Sequence, residues 1–202
     1  EIYQCDWSSD VCSSDLFAAR LWWMLRYLGH EAVAVLDGGI TAWVREGHPV
    51  RAGEEYRSPA TFEGSPREGM RVDVSTVATA SETGALGLID ARAPERFAGL
   101  NETLDRAAGH IPGAANHCFK ANFREDGTIR EPGALRAMLT AAAGGRPMQE
   151  VVMYCGSGVT ACQNLLAAEH AGLPGARLYV GSWSEWSADP ARPVETGPRE
   201  SR

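Results

Sequence analysis

The stretch Val151-Val152-Met153-Tyr154-Cys155-Gly156-Ser157-Gly158-Val159-Thr160-Ala161 decides how the rest of the chain is read. Four apolar residues in a row mark a buried strand. The strand runs straight into a cysteine, and the cysteine into a loop with two glycines. The loop opens onto a helical pattern over residues 160–171 that Gly172 closes. Glycines let the backbone fold tightly around one point, so successive N–H groups can face the sulfur. A helix start adds unpaired donors and the positive end of its dipole. Both favour thiolate over thiol, which makes Cys155 a nucleophile at neutral pH. A lone cysteine is more often a buried packing residue, but strand, glycine loop and helix start together outweigh that reading.

Working outward, residues 86–89 read as a strand ending at Asp90, and residues 94–98 as a short helix. Residues 111–116 return toward the sheet, 133–143 form an alanine- and leucine-rich helix, and 176–180 another strand. Strands alternating with helices at this spacing predict an α/β fold with a mostly parallel central sheet flanked by helices. Upstream, residues 17–28 read as a buried helix stopped by Gly29, 32–36 as a buried strand, and 40–45 as a short helix after the turn Asp37-Gly38-Gly39. Sliding the chain along itself so that Ala18 falls on Ala161 also puts Gly29 on Gly172, Gly38 on Gly181 and Trp43 on Trp186. Pro49-Val50 and Pro193-Val194 follow with one residue of slippage. The first copy is thus expected to be a partial repeat of the same fold, its front half absent.

Four segments result. Residues 1–16, with the near-repeat Trp7-Ser8-Ser9-Asp10 and Cys12-Ser13-Ser14-Asp15, read as a lead segment more like translated adapter sequence than protein. Residues 17–55 are the partial repeat, 56–69 a polar linker, and 70–197 the complete unit. A helix rich in Leu21, Trp22, Trp23 and Leu25 that lacks its own sheet should pack on the complete unit, stay mobile or drive self-association. Fast amide exchange is expected across residues 17–45.

Composition narrows the function classes. The 202 residues are 44% hydrophobic and 22% charged, ordinary for a globular protein, and a formal net charge of -7 argues against nucleic acid or anionic membrane as partner. No apolar run is long enough to span a bilayer and no secretory signal is visible, so the default location is cytoplasmic. Cys5, Cys12, Cys118, Cys155 and Cys162 are odd in number, without C-x-x-C pairs or Cys/His zinc spacing. Neither a disulfide framework nor a metal is expected. Cys12 falls opposite Cys155 in the repeat, but Ser13, Asp15 and Phe17 stand where Gly156, Gly158 and Thr160 stand, so the match reads as coincidence. Cys162 reads as packing, and Cys118 is undetermined.

The loop Cys155-Gly156-Ser157-Gly158-Val159-Thr160 resembles the active-site loop of rhodanese-like sulfurtransferases, particularly the mercaptopyruvate branch. Ile89-Asp90-Ala91-Arg92, Arg96-Phe97, Gly109-His110-Ile111-Pro112-Gly113-Ala114 and Gly181-Ser182-Trp183-Ser184-Glu185-Trp186 match further landmarks of that family. The resemblance covers residues 17–197. It implies a tandem protein with an inactive first domain and a catalytic second one, and a cleft between them. It also implies a small anionic sulfur donor, thiosulfate or 3-mercaptopyruvate. The acceptor would be a thiol, thioredoxin or cyanide, with no cofactor involved.

By the same resemblance Cys155 carries the sulfur as a persulfide and Ser157 assists proton transfer. Gly156, Gly158, Val159 and Thr160 cradle donor and persulfide, and Arg96 and Arg106 hold the donor's carboxylate. Arginine suits that task because its planar fork can bind carboxylate bidentately. Asp90 and His110 are expected to fix loops rather than react, and Trp183 and Trp186 to line core or cleft. The uncharged Gly156-Ser157 pair favours mercaptopyruvate over thiosulfate. A cysteine phosphatase would need arginine six positions after the cysteine, where Ala161 stands. A catalytically weak rhodanese-like carrier or binding module is the nearer alternative.

Overall fold

The structure, a computed structural model, describes residues 15–53, 56 and 58–197. Cys5 and Cys12 lie outside the described residues. The sheet is organised around β4 (Val151–Tyr154), all four of whose residues are buried. β4 pairs in parallel with β2 (Gly87–Asp90) and with β5 (Arg177–Tyr179). The edges are β3 (Ala115–Asn116) beside β2 and β1 (Arg71–Val72) beside β5, giving the order β1-β5-β4-β2-β3. Every pairing is parallel, so every connection must cross over a face of the sheet, and both faces are covered.

Alternation along the strands sends successive side chains to opposite faces. Ile89, Val151, Met153 and Leu178 enter one core with Leu135 and Leu139 of α5 (Pro132–Ala142) and with Ala161 and Leu165 of α6 (Ala161–His170). Leu88, Val152, Tyr154 and Tyr179 enter the other with Val77 and Ala80 of α3 (Val74–Thr83) and Trp183 and Trp186 of α7 (Ser182–Ala188). α3 starts where the Asp73 carboxylate accepts the Thr76 N–H at 2.9 Å. Hydrogen bonds from Thr76 and Ser75 lower that carboxyl's pKa to about 2. Gly84, at φ +68, ends the helix as a left-handed cap.

Two segments precede this unit. α1 (Asp15–Tyr27) buries Ala19, Trp22 and Trp23 in the same core as α6, so of the three fates open to this helix the structure shows the first, packing. The expected strand over residues 32–36 is a correction: the segment joins no ladder. The run instead lays alternate residues Val33 and Val35 against the core that holds α1. Its alternation is satisfied by side-chain burial without strand pairing. The amides of Trp22 and Trp23 should therefore show hydrogen-exchange protection approaching that of β4. Exchange at the rate of an open chain there, in a monomer, would show α1 detached.

Two of the sequence matches between residues 17–50 and 160–194 share local geometry. Gly29 and Gly172 both follow their helices at positive φ, +89 and +69. In α2 (Gly39–Arg45) Trp43 Nε1 donates to Pro49 O at 3.0 Å, and in α7 Trp186 Nε1 donates to Pro193 O at 2.9 Å. The one-residue slippage between the two prolines is absorbed without losing the bond.

Candidate active site

The crossover from β4 leads to β5 on one side of the sheet, while that from β2 leads to β3 on the other. Chain direction diverges between β4 and β2, and in an open parallel sheet this opens a crevice at the strands' carboxyl ends. Cys155 is the first residue after β4, and Ala91 and Arg92 follow β2 at the same end. Cys155 is 1% exposed.

The loop after it is pinned by its carbonyls. Trp183 N donates to Cys155 O and Ser184 N to Gly156 O, both at 2.9 Å. Gly158 O accepts from Arg20 Nη1 at 3.2 Å and from the Cys162 thiol at 3.3 Å. Cys155 N donates to Ser182 Oγ at 3.2 Å, and that hydroxyl donates to Tyr179 O at 2.8 Å. Gly158 has φ +76, and a Cβ there would lie 2.6 Å from Val180 O, so only glycine fits. The N–H groups of Gly156, Ser157, Gly158, Val159 and Thr160 donate to no protein acceptor among the described residues. Thr160 makes no side-chain cap on α6, and the helix's Cys162 and Gln163 N–H groups turn back onto Val159 O and Thr160 O, both at 3.1 Å. A run of unpaired N–H groups at a helix start is an anion cradle. Ser157 is exposed within it, and Val159 and Thr160 are partly buried.

Arg96, on α4 (Pro94–Phe97), faces this loop. Its Nη1 is 3.6 Å from where a Cβ on Gly156 would sit. Nη2 contacts Glu102 Oε1 at 2.9 Å and Asp105 Oδ2 at 3.0 Å, while Nε reaches Glu102 Oε2 at 3.2 Å. Among the described residues Nη1 is the guanidinium nitrogen left without a protein partner. Burial pushes the Glu102 carboxyl up, but bonds from Arg96 and from the Leu104 and Asp105 N–H groups outweigh it, and the net shift is downward. Ser184 Oγ lies 2.5 Å from Asp105 Oδ1 and 2.8 Å from Gly156 O, and its single proton serves one of them at a time. Arg106 is exposed and donates to Ala188 O at 3.4 Å, at the end of α7. The structure therefore brings Arg96 beside Gly156, and ties Arg106 to a different element.

Behind Arg96 lies a buried pair. Arg92 meets Asp90 Oδ2 through Nη2 at 2.7 Å, Gly109 O at 2.7 Å and Glu102 Oε2 at 3.4 Å, and it lies over the Trp183 ring. His110 stacks on Phe97 with ring centroids 3.6 Å apart, and its Nδ1 meets Phe97 O at 2.8 Å. Burial lowers its pKa, so the ring is neutral at physiological pH. Asp90 and His110 thus hold loops in place, and Trp183 and Trp186 are core. Cys162 is fully buried, which pushes its thiol up to about 12, as expected of a packing cysteine. Cys118 is partly exposed. Glu102, Asp105, Ser184 and Arg20 were not foreseen as parts of the site. Ser184 stands in a quoted motif, but nothing in linear spacing links the other three to Cys155.

This fold is that of a known class. The rhodanese-like domain profile matches residues 73–189, and the chain belongs to that family. Among its curated relatives is the probable 3-mercaptopyruvate sulfurtransferase of Pseudomonas aeruginosa, 47% identical over 182 residues that cover 90% of this chain and 64% of the relative. The putative thiosulfate sulfurtransferase SseB of Mycobacterium tuberculosis is 41% identical over 188 residues, covering 89% of this chain and 63% of its own. The chain thus spans less than two thirds of the length of these relatives. In three dimensions it is similar to the anaerobic ergothioneine biosynthesis enzyme of Chlorobium limicola, solved with trimethyl histidine. That match has TM-score 0.81 and 28% identity, and covers 91% of this chain and 46% of that one. EanB, solved with ergothioneine covalently linked to a persulfide cysteine, matches with TM-score 0.82 and 26% identity over 92% of this chain and 46% of the other. Among the described residues no helix is long and apolar enough to cross a membrane.

Proposed function

We propose that this chain is a sulfurtransferase that carries sulfane sulfur on Cys155. The observation behind this reading is the run of unpaired N–H groups from Gly156 to Thr160, directly after a cysteine delivered by the central strand. These groups suit a persulfide anion, because successive backbone N–H groups form a concavity that binds negative charge.

The reaction has two halves. The Cys155 thiolate attacks the sulfur of 3-mercaptopyruvate, forming an S–S bond and breaking the C–S bond. The donor's thiol proton ends on the departing carbon, giving pyruvate, and Ser157 is placed in the loop to relay it. With thiosulfate the S–S bond breaks instead and sulfite leaves. A thiol, thioredoxin or cyanide then takes the outer sulfur and regenerates the thiolate. Arg96 presents Nη1 to an anionic donor while Glu102 and Asp105 hold its other edge, so its grip on a carboxylate is through one nitrogen, not the fork. The curated relative at 47% identity supports mercaptopyruvate as the donor. The paired glycines and the matching Trp43 and Trp186 bonds support reading residues 17–55 as the tail of an inactive repeat.

Steady-state assays with both donors test the proposal, with ping-pong kinetics and pyruvate release expected. A purified, folded chain that releases neither pyruvate nor sulfite would leave the alternative, a carrier or binding module. Arg96→Ala should lower kcat/KM by about tenfold or more, since it removes a cation and strands two carboxylates beside an anionic donor. Arg106→Ala is the control, expected within about twofold of the parent. An unchanged kcat/KM in Arg96→Ala for both donors would remove Arg96 from the site.

A further inference from the structure

We infer that Arg20, on α1 and outside the family-matched residues 73–189, is a positioning residue for the Cys155 loop. This rests on the sulfurtransferase reading above and extends it to a helix whose place in the site no motif marks.

The geometry around Gly158 carries the inference. On one side Val180 O stands where a Cβ would be, 2.6 Å away, so the sheet closes that approach. On the other, Gly158 O takes the Arg20 Nη1 donor at 3.2 Å and the Cys162 thiol at 3.3 Å, while Nη1 lies 3.9 Å from Cys162 Sγ. Arg20 is itself held, with its guanidinium 5.1 Å from the centroid of Trp23, one turn along α1. Trp22, Trp23 and Ala19 anchor that helix in the core that also contains Cys155, Ala161 and Cys162.

A trans peptide points its carbonyl and its N–H in opposite directions. Fixing Gly158 O on Arg20 therefore turns the Val159 N–H away from α1 and into the loop. Val159 N is one of the donors left without a protein acceptor. Arg20 thus sets the direction of a cradle donor without touching donor or sulfur. The other charged or titratable groups at the loop are Cys162 on α6, Arg96 on α4, and Glu102 and Asp105 behind Arg96. None of these four acts on the side of the Gly158 peptide that Arg20 holds except the Cys162 thiol, a weaker donor.

Arg20→Met keeps the apolar stem over Trp23 and removes the donor. Arg20→Lys keeps one donor, which is all that Gly158 O receives from this side chain. Arg20→Met should lower kcat by about tenfold with the donor KM within about twofold, and Arg20→Lys should recover most of the loss. Independently of any donor, the amides of Cys162 and Gln163, which close the first turn of α6 on Val159 O and Thr160 O, should exchange several-fold faster in Arg20→Met. Those of Leu178 and Tyr179 in β5 should not change. If Arg20→Met matches the parent in both kcat and first-turn exchange, Arg20 positions nothing. If the parent chain turns over no donor, the sulfurtransferase reading fails, and the exchange comparison alone decides the role of Arg20.

Discussion

Cys155→Ser is expected to lower turnover with either donor by at least about a thousandfold while leaving the fold intact. Serine is nearly isosteric and Cys155 is 1% exposed, so packing hardly changes. An alkoxide is far harder to form than a thiolate, and a hydroxyl cannot carry sulfur as a persulfide. The remaining described thiols cannot substitute. Cys162 is buried, with its thiol pushed up to about 12, and its sulfur already points at Gly158 O. Cys118 follows β3 and precedes the short helical turn Phe119–Asn122, so no helix-start loop of unpaired N–H groups surrounds it as one follows Cys155. Intact mass and peptide mapping after incubation with donor should place one extra sulfur on Cys155 of the parent and none on the variant. A persulfide found on another cysteine, with turnover retained in Cys155→Ser, would refute the assignment.

Arg92→Ala is expected to destabilise the protein by about 3–5 kcal/mol, because it leaves a buried carboxylate without its counter-charge. The side chains of Arg92 and Asp90 are 2% and 0% exposed. Burial alone would lower the Arg92 pKa, but the hydrogen bonds and charge of Asp90 more than reverse that, so the guanidinium is charged. The substitution also strips Gly109 O of a donor and Trp183 of its cation. A domain's whole stability is about 5–15 kcal/mol, so a large share is at stake. Denaturant unfolding measures it, and a loss under about 1 kcal/mol would mean that water or rearrangement satisfies Asp90. Activity should fall as well, since Arg92 helps seat Glu102, which in turn holds Arg96.

How much of this was legible in the sequence depended on whether a signal was local. β4, the Cys155 loop and α6 could be read because a continuous apolar run, two glycines and a helical period sit side by side. The upstream glycines and tryptophans, in the same order as those around α6 and α7, were the basis for expecting a partial repeat. β1 and α3 passed unseen: Arg71 and Val72 are too short a run to signal a strand, and α3 is rich in Thr, Ser and Val, weak helix formers. Residues 32–36 carried a continuous apolar run, but whether such a run pairs as a strand or is buried by its side chains alone is decided by where the assembled chain lays it. Arg96 was visible through its motif. Its restraint by Glu102 and Asp105 was not, because which nitrogen a carboxylate occupies is decided by the path of an irregular loop. Arg20 lies so far from Cys155 in sequence that only the packing of α1 on α6 reveals it.

The clamps on Cys155 O and Gly156 O come from Trp183 and Ser184, and the Cys155 N–H is received by Ser182. All three residues lie in α7, beyond β5. During synthesis at about 5–20 residues per second, the cysteine precedes these partners by a few seconds. Throughout that interval the nascent chain has its nucleophile but no fixed loop around it. The site is therefore completed by the ribosome's later output, and a chain stalled between β4 and α7 would hold an ordinary thiol. Under the proposed function, sulfur loading would be a post-assembly event, timed by the arrival of a helix that itself contains no sulfur.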